Sequence, residues 1–371
     1  MRLEEPFVTR ASRARAIAAA AAVGGAGLVG TGGAIYGLLL GQTRLARRRI
    51  GQFTESPLDA DGRYEPDSPA SQASEAAQAA RAPQPNDVSL LVLGDSGAAG
   101  FGVEHSDHTT GAAAARALAH VLGRPVRLQS LAVVGAQSGD LAGQIDQLEQ
   151  GAGAAQPRAP GDAEQAAASN QAWPDLAVII IGANDVTHRV TPGRSVALLA
   201  EAIGRLRTHD VEVVVGTCPD LGTVQPIPHP LRWVARRWSR SIAAAQMVAS
   251  VQAGARAVAL ADLLGPEFDA HPERMFGPDR FHPSSEGYRA VAEALVPSMV
   301  DALTGPSAAD LAAADEATSL ALARAAAEAA EIAGAEVSAV ATGARLRGFV
   351  RLRRRPAPDP TPDPAPDSHS V

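Results

Sequence analysis

Four short stretches carry the side chains that could do chemistry together. LLVLGDSGAAGFG (Leu90 to Gly102) ends an apolar run on Gly94-Asp95-Ser96 and then strips the next turn of bulk. Such a serine is either a nucleophile exposed at a sheet edge or part of an ordinary strand-to-helix turn. In SLAVVGAQSG, Gly135 can present a backbone N–H that no side chain obstructs. In IGANDVTH, the Asn184 amide can donate to an oxyanion as its charge develops. In a dry, preorganised site one such donor is worth about 3 kcal/mol. The same Asn184-Asp185 pair also makes a common helix-capping turn. In GPDRFHPSSEGY, Asp279 precedes His282 by three residues, so one turn can hold the carboxylate against the imidazole. Asp279 would fix the tautomer and stabilise the imidazolium, and His282 would take a serine proton. Pro283 biases His282 toward an extended backbone. Ser284 or Ser285 can then cap the next helix, whose N-terminus disfavours a charged imidazole.

These residues need a scaffold, and the intervening sequence supplies one. Short apolar runs read as strands at VSLLVLG (Val88 to Gly94), PVRLQSLAVVG (Pro125 to Gly135, with its exit loop), DLAVIIIG (Asp175 to Gly182), VEVVVGT (Val211 to Thr217) and RAVAL (Arg256 to Leu260). Helical patterns alternate with them: HTTGAAAARALAHVLG, ending at Gly123; SGDLAGQIDQLEQG, with Ser138 as candidate cap; SVALLAEAIGRLRTH; RWVARRWSRSIAAAQMVASVQAG; and SSEGYRAVAEALVPSMVDAL. The alternation predicts an α/β fold, a three-layer α/β/α sandwich on a mostly parallel sheet of about five strands. Its crossovers are right-handed. Ligands in such sheets bind at the carboxyl ends of the strands, the rim on which Ser96, Gly135 and Asn184 fall.

Taken together, the chain resembles the SGNH hydrolases, also called the GDSL esterase/lipase family, in a membrane-anchored, actinobacterial-type form. Gly94-Asp95-Ser96 is similar to that family's first block, Gly135 to the glycine of its second, Gly182-x-Asn184-Asp185 to its third and Asp279-x-x-His282 to its last. The resemblance covers roughly Val88 to Leu303. It implies a flavodoxin-like SGNH hydrolase fold and a catalytic triad of Ser96, His282 and Asp279. It also implies an oxyanion hole made by the N–H groups of Ser96 and Gly135 with the Asn184 side chain. It implies no metal and no cofactor. Two positions depart from the pattern. Gly97 follows the serine where the family name has leucine, and Ser130 stands five residues before Gly135, where asparagine is often found.

Read as an enzyme, the chain is a serine esterase or lipase-like hydrolase that cleaves an acyl ester through an acyl-serine intermediate. The substrate would be a small-molecule, lipid or glycan acyl ester. An acyltransferase would use the same site, with an alcohol resolving the acyl group. The reading from a different class is a non-catalytic, membrane-anchored binding protein that keeps the fold, but a binding module has no need of Ser96, Asn184, Asp279 and His282 together. A phosphate-loop nucleotide-binding domain is excluded because the chain has no lysine.

The remaining sequence frames this domain. Of 371 residues, 46% are hydrophobic but only 4% aromatic, so aliphatic side chains must fill the core. The formal charge of −7 offers no general attraction for nucleic acid. The single cysteine, Cys218, excludes an internal disulfide and a cysteine-based zinc site, and reads as a small semi-buried residue. His105 and His108 read as surface loop, with no third metal ligand apparent nearby. His188 reads as exposed loop. Residues 16–41 carry no charge and exceed the roughly 20 residues that span a bilayer core. With arginines on both sides they read as an uncleaved anchor within 1–52, making this a single-pass protein of a bacterial cell membrane; a cleaved signal peptide is the rival reading and a soluble Ala-rich helix the plainer one. The flanking charges are too balanced to orient it. Residues 53–87 read as a flexible linker, 88–305 as the hydrolase domain with a loop insertion over 151–172, and 306–345 as an Ala-rich helical segment. Residues 346–371 read as a basic stretch and then a Pro/Asp-rich disordered tail. Leu231, Val234, Trp238 and Ile242 recur at helical spacing, which makes the Arg232–Arg240 stretch a core stripe with a solvated arginine face. Anionic lipid is the sharper alternative there and at RLRGFVRLRRR.

Overall fold

The computed structural model describes residues 37–46, 48–49, 56–66, 86–153, 173–305, 335–342 and 345–352. Most of the apolar run, the middle of the expected linker, the loop insertion beyond 153, most of the Ala-rich segment and the Pro/Asp-rich tail lie outside the described residues.

Among the described residues, one sheet holds eight strands: β1 (Gly62–Tyr64), β2 (Val88–Gly94), β3 (Val126–Ser130), β4 (Leu176–Ile180), β5 (Glu212–Gly216), β6 (Arg256–Val258), β7 (Ala335–Thr342) and β8 (Arg345–Leu352). Their order is β1-β3-β2-β4-β5-β6-β7-β8. The five strands β3-β2-β4-β5-β6 are parallel. The edges are antiparallel, β1 on β3 and the β7–β8 hairpin on β6. The helices in chain order are α1 (residues 37–46), α2 (Ser96–Ala99), α3 (Thr110–Leu122), α4 (Leu141–Gly153), α5 (Ala183–His188), α6 (Pro192–Arg207), α7 (Leu231–Gln252), α8 (Leu260–Ala270), α9 (Pro272–Met275) and α10 (Ser285–Thr304).

The parallel strands are apolar along their whole length because helices cover both faces. Their alternation splits the core in two. Leu90, Val92, Val178 and Val214 pack with α3 and α10; Leu91, Leu93, Ile179 and Val215 pack with α4 and α6. Each fully buried Leu or Ile contributes about 1.5–3 kcal/mol, so the sheet is the rigid body on which the site is mounted. β2 is followed by β3 on one side and lies against β4 on the other. The strand order therefore reverses at β2, and a crevice opens at its carboxyl end, where Ser96 begins α2.

Four local expectations differ from what the chain does. Residues 56–66 are part of the domain rather than linker: Tyr64 is buried, its hydroxyl donates to the Ala60 carbonyl at 2.7 Å, and Asp61 accepts the Ser130 N–H at 2.7 Å. A three-residue strand is too short for its period to register and takes its order from β3. Residues 335–342 are a strand, not the end of a helix, and 345–352 a second strand. Pairing runs from Ala335↔Leu352 to Thr342↔Arg345, an antiparallel pair that the outer edge of β6 stabilises against alanine's helix preference. Ser138 caps nothing; Gln137 and Asp140 form the reciprocal box that opens the turn into α4. Cys218 is fully rather than partly buried, and burial pushes its thiol well above the ordinary range. Among the described residues, no helix is long and apolar enough to cross a membrane.

Candidate active site

The end of β2 is shaped by one glycine. Gly94 has φ of +133°, and a Cβ there would lie 1.9 Å from the Ile180 carbonyl oxygen. Only glycine lets β2 finish this close to β4, where the Asp95 N–H donates to the same carbonyl at 3.1 Å. Asp95 then caps α2, accepting the Gly97 N–H at 2.9 Å, and Ser96 becomes the first residue of a one-turn helix on the rim. From α4, Gln144 grips Gly94 at both ends: its Oε1 accepts the Gly94 N–H at 2.9 Å and its Nε2 donates to the Gly94 carbonyl at 2.8 Å. Asp95 is 3% exposed. Burial pushes its carboxyl up to about 7, with the nearby Asp185 adding to the rise, against the pull of surrounding N–H donors.

Ser96 meets an imidazole carried on a compact turn. His282 Nε2 lies 3.0 Å from Ser96 Oγ, and His282 Nδ1 lies 2.7 Å from Asp279 Oδ2. The second oxygen, Asp279 Oδ1, accepts the N–H groups of Phe281 and His282, each at 2.9 Å. Arg280 sits in the left-handed region at φ of +56°, the Gly277 N–H donates to the His282 carbonyl at 2.8 Å, and Phe276 bridges Pro283. The rings of Phe101 and Phe281 flank the imidazole at 4.9 and 4.8 Å, leaving His282 4% exposed. Partial burial alone would raise the Asp279 carboxyl; the hydrogen bond to His282 and the two backbone donors outweigh it and hold the group below its ordinary value. Ser284, not Ser285, caps α10 by accepting the Gly287 N–H at 3.1 Å. The Tyr288 hydroxyl, held neutral by burial, donates to the Phe101 carbonyl at 2.8 Å.

The third part of the site joins the exits of β3 and β4. Gly135 has φ of +85°, and the space its Cβ would occupy is empty to 4 Å, so its backbone stands open. Asn184 Nδ2 donates to the Ala136 carbonyl at 3.1 Å, which ties the two loops together. An amide carries two N–H groups, so a second remains to meet a ligand. Beneath it Asp185 is fully buried and accepts the Ser138 N–H at 3.0 Å, the Ser138 hydroxyl at 2.5 Å and the Ser195 hydroxyl at 2.6 Å. Gln246 of α7 bridges the neighbouring strand ends, accepting the Cys218 N–H at 2.7 Å and donating to the Ile181 carbonyl at 3.0 Å.

Ser96, His282 and Asp279 are thus one hydrogen-bonded chain, and the loops of Gly135 and Asn184 are joined on the same side of the sheet. The sequence reading missed Gln144, Gln246 and the serine partners of Asp185. A signal existed: Gln144 falls on the buried stripe of Leu141, Ile145 and Leu148, and Gln246 on that of Ile242, Ala243 and Met247. A polar side chain inside an apolar stripe must have a partner. Elsewhere, the His108 ring meets the Ser285 hydroxyl at 3.1 Å, and among the described residues no group of three or more His, Cys, Asp or Glu could hold a metal. Arg236 and Arg240 reach Asp220 at 3.4 and 3.1 Å, so part of the arginine face of α7 is paired within the domain.

An apolar cavity of about 100 Å³ opens beside Ser96 and His282, walled by Leu221, Val224, Leu264, Phe268, Phe276 and Phe281. A hydroxyl, imidazole and carboxylate in line, at the carboxyl rim of a parallel sheet and facing an apolar cavity, define the class as a hydrolase on an α/β/α scaffold. Residues 92–290 match the GDSL-like Lipase/Acylhydrolase family. The chain belongs to that family and is a hydrolase acting on ester bonds. It is 39% identical over 280 residues to the GDSL-like esterase Rv1075c of Mycobacterium tuberculosis, spanning 75% of this chain and 81% of that protein. Among solved structures, TesA aligns at 19% identity over 57% of this chain and 97% of its own, with a TM-score of 0.40. Axe2, an acetylxylan esterase from Geobacillus stearothermophilus, aligns at 17% identity over 57% and 94%, with a TM-score of 0.39.

Proposed function

We propose that the protein is a serine esterase that works through an acyl-serine intermediate on Ser96. The observation that carries this is the line from Ser96 Oγ through the imidazole to Asp279, at 3.0 and 2.7 Å. His282 takes the Ser96 proton as Oγ attacks the ester carbonyl carbon, and Asp279 stabilises the imidazolium that forms. The N–H groups of Ser96 and Gly135 with the Asn184 amide receive the negative charge on the carbonyl oxygen. Collapse expels the alcohol, which His282 protonates. Water then attacks the acyl-serine, giving its proton to His282, and Ser96 leaves with that proton to restore the hydroxyl. The apolar walls beside Ser96 favour a hydrocarbon acyl group in the cavity.

The test is labelling by a fluorophosphonate together with p-nitrophenyl acetate hydrolysis, on wild type and Ser96→Ala. Labelling and turnover that both vanish in the variant support the reading. A folded wild type that neither labels nor turns over would contradict it. The uncharged run 16–41 continues into α1, and on that ground we also propose a single-pass membrane anchor. Carbonate washing of cell membranes tests this: an anchored protein stays in the pellet, and release into the wash would contradict it.

A further inference from the structure

We propose that the substrate carries a long acyl chain and that α1, which lies outside the family-matched residues, forms one wall of the channel that holds it. This inference rests on the esterase reading of Ser96. The cavity at Ser96, about 100 Å³, suits a short acyl group; for scale, an apolar cavity of roughly 150 Å³ holds one benzene. Leu221 and Phe281 line that cavity, and they also line a second cleft of about 680 Å³. Two side chains therefore partition a small reactive chamber from a much larger space. Phe281 is the ring that packs edge-on against His282 at 4.8 Å, so the partition stands at the catalytic base.

The walls of the larger cleft are mainly apolar. One is α1, through Leu39 and Leu40; across from it stand Val186 of α5 and Val234, Ala235 and Trp238 of α7. α1 is seated, not tethered. Gln42 Nε2 donates to the His229 carbonyl at 2.6 Å, Gln42 Oε1 accepts the Leu231 N–H at 3.0 Å, and Ala46 is buried in the cluster that includes Phe276. The end of the uncharged run is thus fixed against the domain beside the space that adjoins the reacting serine. An acyl chain that outgrows the first chamber passes Leu221 and Phe281 and lies under α1. Each methylene it buries is worth roughly a factor of four in binding, so selectivity must climb with chain length.

The experiment measures kcat/KM of the full-length enzyme for p-nitrophenyl acetate, butyrate, octanoate and dodecanoate. The wild type is expected to favour dodecanoate over acetate by at least tenfold. Ala235→Trp, which fills the cleft from α7, is expected to lower that ratio at least tenfold. Leu40→Trp, which fills it from α1, must do the same and stands in if the first variant fails to fold. A wild type that prefers acetate, or a ratio that neither tryptophan moves, overturns the inference. Acetate turnover with a flat chain-length profile defeats this inference alone, whereas absence of both acetate turnover and fluorophosphonate labelling defeats the esterase reading beneath it.

Discussion

Ser96 and His282 meet at 3.0 Å, yet they arrive there by different means. On the serine side, positions are fixed by side chains far along the sequence. Gln144 grips Gly94 across 50 residues, and Asp185 binds Ser138 across 47. On the histidine side, the bonds that shape the turn lie between Met275 and Ser284: Ser284 N–H to the Met275 carbonyl, Gly277 N–H to the His282 carbonyl, and two N–H groups to Asp279. The first half cannot exist until the sheet and both helical layers are assembled. The second is a local motif that needs only to be docked. Substitutions should therefore separate the halves: chemistry without stability on one side, stability and chemistry together on the other.

The largest effect belongs to the local side. Asp279→Asn keeps an oxygen for the two backbone donors but sets an amide N–H against His282 Nδ1, which forces the wrong tautomer. Ester turnover is expected to fall by about 10⁴-fold with little change in Tm; a parallel collapse of Tm would break the comparison. Next comes Gly94→Ala, where the new Cβ meets the Ile180 oxygen. A loss above about 4 kcal/mol is expected in urea unfolding, enough to leave little folded enzyme. Asp185→Ala strands the Ser138 N–H and two hydroxyls and should cost about 3 kcal/mol, with kcat falling alongside Tm. Unchanged kcat in that variant would mean that Asp185 does not position the Asn184 loop.

The smallest effect is on pH dependence. Asp95 has its folded pKa raised to about 7 from 3.8, so it favours the folded state most when protonated. That contribution is complete below pH 3.8 and is lost as pH rises through 7. Wild-type stability should drop by roughly 2–3 kcal/mol between pH 5 and 8 on this account, and Asp95→Asn should flatten the slope. Asp279 has the opposite sign: its depressed pKa favours the folded turn above the ordinary carboxylate range, and that contribution fades as pH falls through the lowered value. Thermal melts across pH for wild type and both Asn variants separate the two.

The same division governs what could be read without coordinates. The Asp279-x-x-His282 turn was legible because its partners lie three residues apart. The five parallel strands were legible because burial on both faces makes continuous apolar runs. Ser138 has the right type and place for a helix cap, but its hydroxyl goes to Asp185, a partner that only the closed sheet brings near. β1 is three residues long, and β7 is masked by alanine, so each takes its state from the strand beside it. Gln144 and Gln246 could have been flagged as polar residues on apolar stripes, but not assigned to Gly94 or to Ile181 and Cys218.

The most direct test of the central claim is to trap the covalent intermediate. Enzyme turning over a p-nitrophenyl ester is quenched in acid, and the intact mass and then the peptides are measured. The account predicts one added acyl group, carried by the peptide containing Ser96 and absent from Ser96→Ala. An acyl group on another residue, or full turnover by Ser96→Ala, would contradict it.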